Sequence, residues 1–407
     1  MKLTLIVSAS AVVFALVGLG MVAYATRGSP RSVLSPGKGP WNPGRRTDAV
    51  TIPGVSVVSG GHCESSAIMN ALRFCGYPVE ECEVTGGGGA LAFIFSRGAF
   101  PFLGGRNEDM KERFFKAAGI EWHRGNAETA DSGWAEIVSL LERGIPVVVR
   151  NDMRFLTYRY GGKRGPSWSA FGGHYVTLFA VDFGKSLAWV SDTEYGGLQA
   201  VSLADLHRAR TSRTRVFPPR GEFYWVERAP EGFALDREAL ARSSIATVLS
   251  NYRARSLDAD SGGSPLAGLA GMERYPEVLR DLESWGVKPF LLAPVLEYMA
   301  GNIEDFGTGG ASFRRLYRDF LVRETEGGEE WLAPLVPLIE DSVASWHALS
   351  AEFRSAAKTA KGKNSAAKTL AMERVAKRAE GLLESEKAFY TGLEAVARSR
   401  GLAEAGN

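Results

Sequence analysis

An α+β fold followed by an all-helical region is what this sequence predicts, and three observations carry it. Between about residues 55 and 230, apolar residues recur first at helical spacing and then mostly in short strand-like runs. Two of those runs, GGHYVTLFAVD and SLAWVSD, are joined by a tight DFGKS turn and read as a hairpin. From Leu235 onward the alternation stops, and Ala, Leu, Glu, Lys and Arg dominate.

The elements follow in order. Leu3 to Ala25 is an uncharged apolar run behind Met1 and Lys2, and about 20 such residues can cross a bilayer. Ala23-Tyr24-Ala25 also has the small-x-small form of a cleavage site. Residues 1–27 are therefore expected to be a membrane anchor or a signal peptide cut near Ala25, with the side of the membrane open. The run exceeds the usual signal core, which favours the anchor. Residues 28–54, rich in Pro, Gly, Ser and Arg, read as a tether.

A helix is expected from Cys63, with Ala67, Ile68, Ala71, Leu72 and Cys75 on its apolar stripe and Gly76 closing it. Gly86–Gly89 lacks a following Lys-Ser/Thr pair, so it makes a tight turn or a close backbone approach to that helix rather than a phosphate loop. Further helices are expected at about 107–118, 134–143 and 203–210, with strands at IPVVVRND and EFYWVER. Residues 55–230 thus form one domain and residues 235–407 a helical second. Breaks at 261–265 and 307–310 divide the latter, and AAKTAKGKNSAAKT interrupts its last stretch.

At 407 residues the chain has room for two cores. A net charge of +2 leaves no basic excess for nucleic acid. Cysteines at 63, 75 and 82 are too sparse for a disulfide scaffold. A Cys75–Cys82 bridge is geometrically open in an oxidising compartment, and Cys63 stays unpaired either way.

Cys63 stands where a glycine-rich turn runs into a helix, in GGHCESSAIMNALRFCG. The thiolate is the nucleophile in thiol catalysis, and a helix N-terminus or a neighbouring imidazolium favours it. The helix start also offers backbone N–H groups, that of Cys63 among them, to the oxyanion of an attacked carbonyl. His174 opens the first strand of the hairpin and Asp192 closes the second. With the turn centred near Phe183, the two lie roughly opposite, Cβ atoms about 5 Å apart. A carboxylate so placed holds a catalytic imidazole in one tautomer.

The ordinary alternative is a small buried cysteine and a strand-end histidine with satisfied ring nitrogens. The coincidence of the three settings favours catalysis by Cys63, His174 and Asp192. His62 adjoins Cys63, and neighbours on a helix do not face each other. Without CxxC or HxxxH spacing, no metal or other cofactor is expected. His123, His207 and His347 sit in polar or amphipathic contexts, as solvated or packing residues. Arg106, in Gly104-Gly105-Arg106, is a candidate for an anionic substrate group. Asp152 and Tyr158, in the loop after a buried strand, are candidates for substrate contact.

These segments carry a resemblance. GGHCESSAIMNALRFCG, GGGGALAFIF, FLGGRNEDMKERFFKAAGIEW, ERGIPVVVRNDMRFLTY, GGHYVTLFAVD and WVSDTEYGGLQAVSLADLHRAR occur in the order of the butirosin biosynthesis protein H N-terminal family, which the chain resembles over about residues 57–215. GTGGASFRRLYRDFL resembles the helical domain of unknown function that often follows it. The resemblance implies a papain-like cysteine-peptidase core. It also implies an acyltransferase that moves an aminoacyl group from a carrier-protein thioester to an aminoglycoside amine. Carried over by motif, the nucleophile is Cys63, the base His174 and the orienting acid Asp192.

The expected function is therefore acyl transfer through a thioester on Cys63 to a small amine acceptor, the donor being a carrier-protein thioester or a peptide. Peptide or amide hydrolysis by the same machinery is the alternative, and a non-catalytic binding module that retains the fold is the rival of another class. The apolar run at Leu3–Ala25 departs from a soluble biosynthetic enzyme and sets the carrier-protein donor against an exported peptide or envelope amide.

Overall fold

The computed structural model describes residues 46–125, 129–254 and 265–402. The Leu3–Ala25 run and most of the tether lie outside them. No helix among the described residues is long and apolar enough to cross a membrane. The chain is an α+β fold with a helical C-terminal region, and it divides into two compact units.

One unit contains residues 46–81 and 120–235. Its antiparallel sheet has seven strands among the described residues. Six run in the order Trp122–Arg124, Phe223–Val226, Val147–Asn151, His174–Asp182, Leu187–Ser191, Gln199–Ser202. The seventh, Ala49–Thr51, pairs with the far end of the histidine strand, Thr51 opposite Ala180. All nine residues of His174–Asp182 are buried, as a near-continuous apolar run requires when both faces of its strand are covered. Val176 and Leu178 share a core with Ile137 and Leu141 of the helix Ala130–Glu142. Thr177 Oγ1 donates to the Ala67 carbonyl of the helix Cys63–Phe74 at 2.8 Å, and Phe179 meets Phe74 edge to face. The cysteine helix is thus fastened to the histidine strand.

Local chemistry sets the ends of these elements. Gly76, at φ +93°, follows the last turn of the cysteine helix, the left-handed site at which glycine carries no Cβ penalty. The helix Ala130–Glu142 starts a turn earlier than its apolar spacing suggests, because Thr129 and Ser132 form a capping box. The hairpin register also differs from the count. Thr177 pairs with Ser191, so Val176, not His174, lies at the level of Asp192. The offset is two residues and preserves the face, so His174 and Asp192 meet along a diagonal.

The other unit contains residues 82–119 together with 236–402. The first segment, expected within the sheet domain, supplies Leu91–Phe95 and Leu103–Arg106, which with Leu266–Ala267 make a three-stranded sheet. Its glycines allow close approach: a Cβ on Gly86 would fall 2.1 Å from the Phe320 ring, and one on Gly89 2.5 Å from Thr247. These approaches are to helices of the same unit. The longest helices are Val336–Ala360 and Ser365–Ser399, and Asn364 caps the second by accepting the Ala367 N–H. All three cysteines are free thiols, so Cys75 and Cys82 are not bridged.

Candidate active site

Cys63 is the first residue of its helix and is partly exposed. His62, with extended backbone, caps that helix: its Nδ1 accepts the Ser65 N–H at 3.3 Å. This neighbouring histidine therefore orders the helix start. The Cys63 sulfur lies 3.9 Å from the Gly173 carbonyl, one residue before His174.

His174 Nε2 and Asp192 Oδ1 are 2.8 Å apart, and both side chains are shut off from solvent. Asp192 is held from several sides. Oδ1 also accepts the Thr193 N–H at 2.7 Å, while Oδ2 accepts the Tyr158 hydroxyl at 2.8 Å and Arg159 Nη1 at 2.7 Å. Arg159 in turn donates to Glu194 at 2.9 Å. Burial works against the Asp192 charge, but His174, Arg159 and Tyr158 outweigh it and hold the carboxyl well below its usual range. Burial likewise works against an imidazolium at His174. The charge and hydrogen bond of Asp192 overcome it, and the pKa of the ring rises to about 9. With Nε2 on Asp192, Nδ1 is the nitrogen left for the Cys63 side chain, whose hydrogen bond and charge add to the same upward shift.

A half-open thiol at a helix start, a buried imidazole and a multiply held carboxylate thus meet in one unit. The chain matches the family described as butirosin biosynthesis protein H, N-terminal, over residues 62–193. The matched stretch opens one residue before Cys63 and closes one after Asp192. It carries a butirosin biosynthesis protein H N-terminal domain. Residues 204–393 match a domain of unknown function, DUF4872. No curated protein matches the chain. The first match identifies a domain of the kind found in a biosynthetic enzyme.

Of the other candidate residues in this butirosin biosynthesis protein H-like chain, one joins the site and two do not. Tyr158 joins the Cys63, His174 and Asp192 cluster, with its hydroxyl on Asp192. Asp152 is buried and organises its own loop, accepting the Arg154 and Phe171 amides at 3.1 Å and the Ser212 hydroxyl at 2.6 Å. Arg106 belongs to the helical unit and donates to the Asn107 carbonyl. Among the described residues no His, Cys, Asp and Glu converge as a metal site. A cavity of about 430 Å³, lined by residues including Val58, Arg73, Phe74 and Arg228, lies at the far end of the cysteine helix from Cys63.

Two participants escaped the sequence reading. Arg159 stands beside Tyr158, but nothing in TYRY marks which side chain turns inward. Glu81 receives the Gly61 and His62 amides. Its only signal was a carboxylate after a Tyr-Pro turn, a common surface pattern.

Proposed function

We propose that the chain is a cysteine-dependent acyltransferase built on a papain-like core. Cys63 attacks an acyl carbonyl and forms a thioester, while His174 passes a proton to the departing group. An amine acceptor then attacks the thioester, His174 takes the amine proton, and the Cys63 thiolate leaves. Asp192 keeps the ring in the tautomer that presents Nδ1 to sulfur and stabilises the imidazolium. The Cys63 N–H, at the first position of the helix, is available to the oxyanion. The donor is a carrier-protein thioester or peptide acyl group, and the acceptor a small amine.

The observation carrying this reading is the His174 ring, bonded to Asp192 through Nε2 and meeting the Cys63 side chain at a helix N-terminus. The test is mass spectrometry of the protein after exposure to a simple acyl thioester. An acyl adduct on Cys63 is expected, discharged by added amine, with Cys63→Ala and His174→Ala each lowering acylation by about 10³-fold or more. Because the cysteine lines an accessible position and is small, Cys63→Ala should leave the thermal midpoint within a few degrees of wild type. A Cys63→Ala protein that still transfers acyl groups at the wild-type rate sinks the reading.

A further inference from the structure

Glu81 is a buried carboxylate for which the steps above have no use. Oε2 accepts the Gly61 N–H at 2.7 Å, and Oε1 accepts both the His62 N–H at 2.8 Å and the Ser65 hydroxyl at 2.9 Å. The chain passes over it so closely that a Cβ on Gly60 would lie 2.7 Å from Oε2 and 2.4 Å from Ser66 Cβ. Gly60 N–H donates to the Thr193 carbonyl, beside Asp192, at 2.7 Å. Further along, the Ser65 N–H is taken by the His62 ring and the Ser66 N–H by the His62 carbonyl. Each of these five amides has an acceptor. The Cys63 amide, between them, has none among the described residues.

Successive amides in a tight turn form a concavity that attracts anions, and a helix N-terminus strengthens it. Without Glu81, the Gly61 and His62 amides would compete with that of Cys63 for any carbonyl or carboxylate oxygen entering the turn. We propose that Glu81 is a positioning residue that fills the Gly61 and His62 amides with an internal anion, leaving the Cys63 amide to receive the oxyanion. The carbonyl of the acyl donor is thereby held at one place relative to the sulfur. This rests on the acyl-transfer reading and adds to it the reason the oxyanion is received at Cys63 rather than at Gly61 or His62. Glutamate suits the task because its two oxygens reach two consecutive amides at once.

Acylation and alkylation separate the idea from a merely structural role. Acylation by p-nitrophenyl acetate passes through an oxyanion, whereas alkylation by iodoacetamide needs the thiolate but forms no oxyanion on the attacked carbon. In Glu81→Gln the side-chain NH2 must face one backbone N–H, so one amide is released and the turn shifts. The Cys63-dependent burst of p-nitrophenolate should slow by roughly 30-fold. Alkylation of Cys63, followed by mass spectrometry, should stay within about threefold of wild type, because the thiol and its imidazole partner are retained. Should Glu81→Gln not fold, Glu81→Asp keeps the charge but is one methylene too short to span both amides, and the same split is expected.

Equal losses in both reactions, or a burst as fast as wild type, would overturn the role of Glu81. A wild-type protein with no burst that Cys63→Ala removes would overturn the acyl-transfer reading and this inference with it.

Discussion

Arg314 with Glu386 in the helical unit, and His174 with Asp192 in the sheet unit, are both ion pairs closed to solvent. Their remaining hydrogen-bonding capacity is used differently. Glu386 receives Arg314 Nε at 2.9 Å, the Ser342 hydroxyl at 2.7 Å, Trp346 Nε1 at 2.6 Å and the Tyr252 hydroxyl. Arg314 Nη1 donates to the Ala92 and Ser312 carbonyls, and its guanidinium lies over the Trp346 ring. All the partners are fixed groups of the fold. In the other pair Asp192 is equally well held, but its imidazole keeps one nitrogen for a partly exposed thiol. Burial and charge are common to both, so neither tells the pairs apart; a ring nitrogen facing a partly exposed thiol does.

The comparison can be broken first at its structural end. Arg314→Met leaves the Glu386 carboxylate buried without its counter-charge, which should cost about 3–5 kcal/mol in a urea titration. Adding Glu386→Leu should restore part of that loss, since two apolar side chains replace both charges. A single variant as stable as wild type would show that the network contributes nothing to holding these helices together.

The second effect is the pH dependence of the other pair. Asp192→Asn keeps the shape and a hydrogen-bond acceptor for the His174 ring but removes the charge that overcomes burial. In the wild type the His174 pKa is raised to about 9 in the folded state. Its contribution to stability is therefore complete below the ordinary imidazole value of about 6.5 and is lost as pH rises through about 9. The Asp192 carboxyl is depressed, so its contribution is present above the usual carboxylate range and lost in stronger acid. Wild-type acylation should fall above about pH 9, as the ring loses the proton for the leaving group. In Asp192→Asn that limb should move down by roughly 2 units and the maximal rate by about 10²-fold. A pH–rate profile with an unmoved alkaline limb would separate Asp192 from the titration of His174.

How much of this was legible in the sequence depends on how local the signal is. The cysteine helix carried its own marks: a glycine turn before it, an apolar stripe along it and Gly76 after it. The hairpin was equally local, and its two-residue offset did no harm because strands repeat every two residues. Glu81 and Arg159 were not legible, because a carboxylate or guanidinium in a loop looks alike whether it faces water or a buried amide. The sequence marks a helix break at 307–310, but the unusual backbone covers residues 309–313. They run through five consecutive positive φ values, three at Ala311, Ser312 and Phe313, and the Arg314 guanidinium donates back to the Ser312 carbonyl. Such left-handed backbone costs energy outside glycine and persists only where tertiary contacts impose it. The grouping of 82–119 with the C-terminal helices is likewise a long-range pairing, with no local mark at residue 82.

The smallest effect is at Tyr158, where the two kinds of role for a loop residue can be told apart. From its place after a buried strand it was a candidate for touching substrate, and its hydroxyl is instead a donor to Asp192 Oδ2, the oxygen that also receives Arg159. Tyr158→Phe removes one of the donors holding the carboxylate and leaves the others, so stability should fall by only about 1–2 kcal/mol. Asp192 would stay ionised but be less firmly oriented, lowering kcat by a few fold. KM should hardly change, because no bond to the acyl donor is lost. A substrate-contacting tyrosine predicts the reverse, a raised KM with kcat preserved. Steady-state kcat and KM for this one variant therefore decide between holding the acid and holding the substrate.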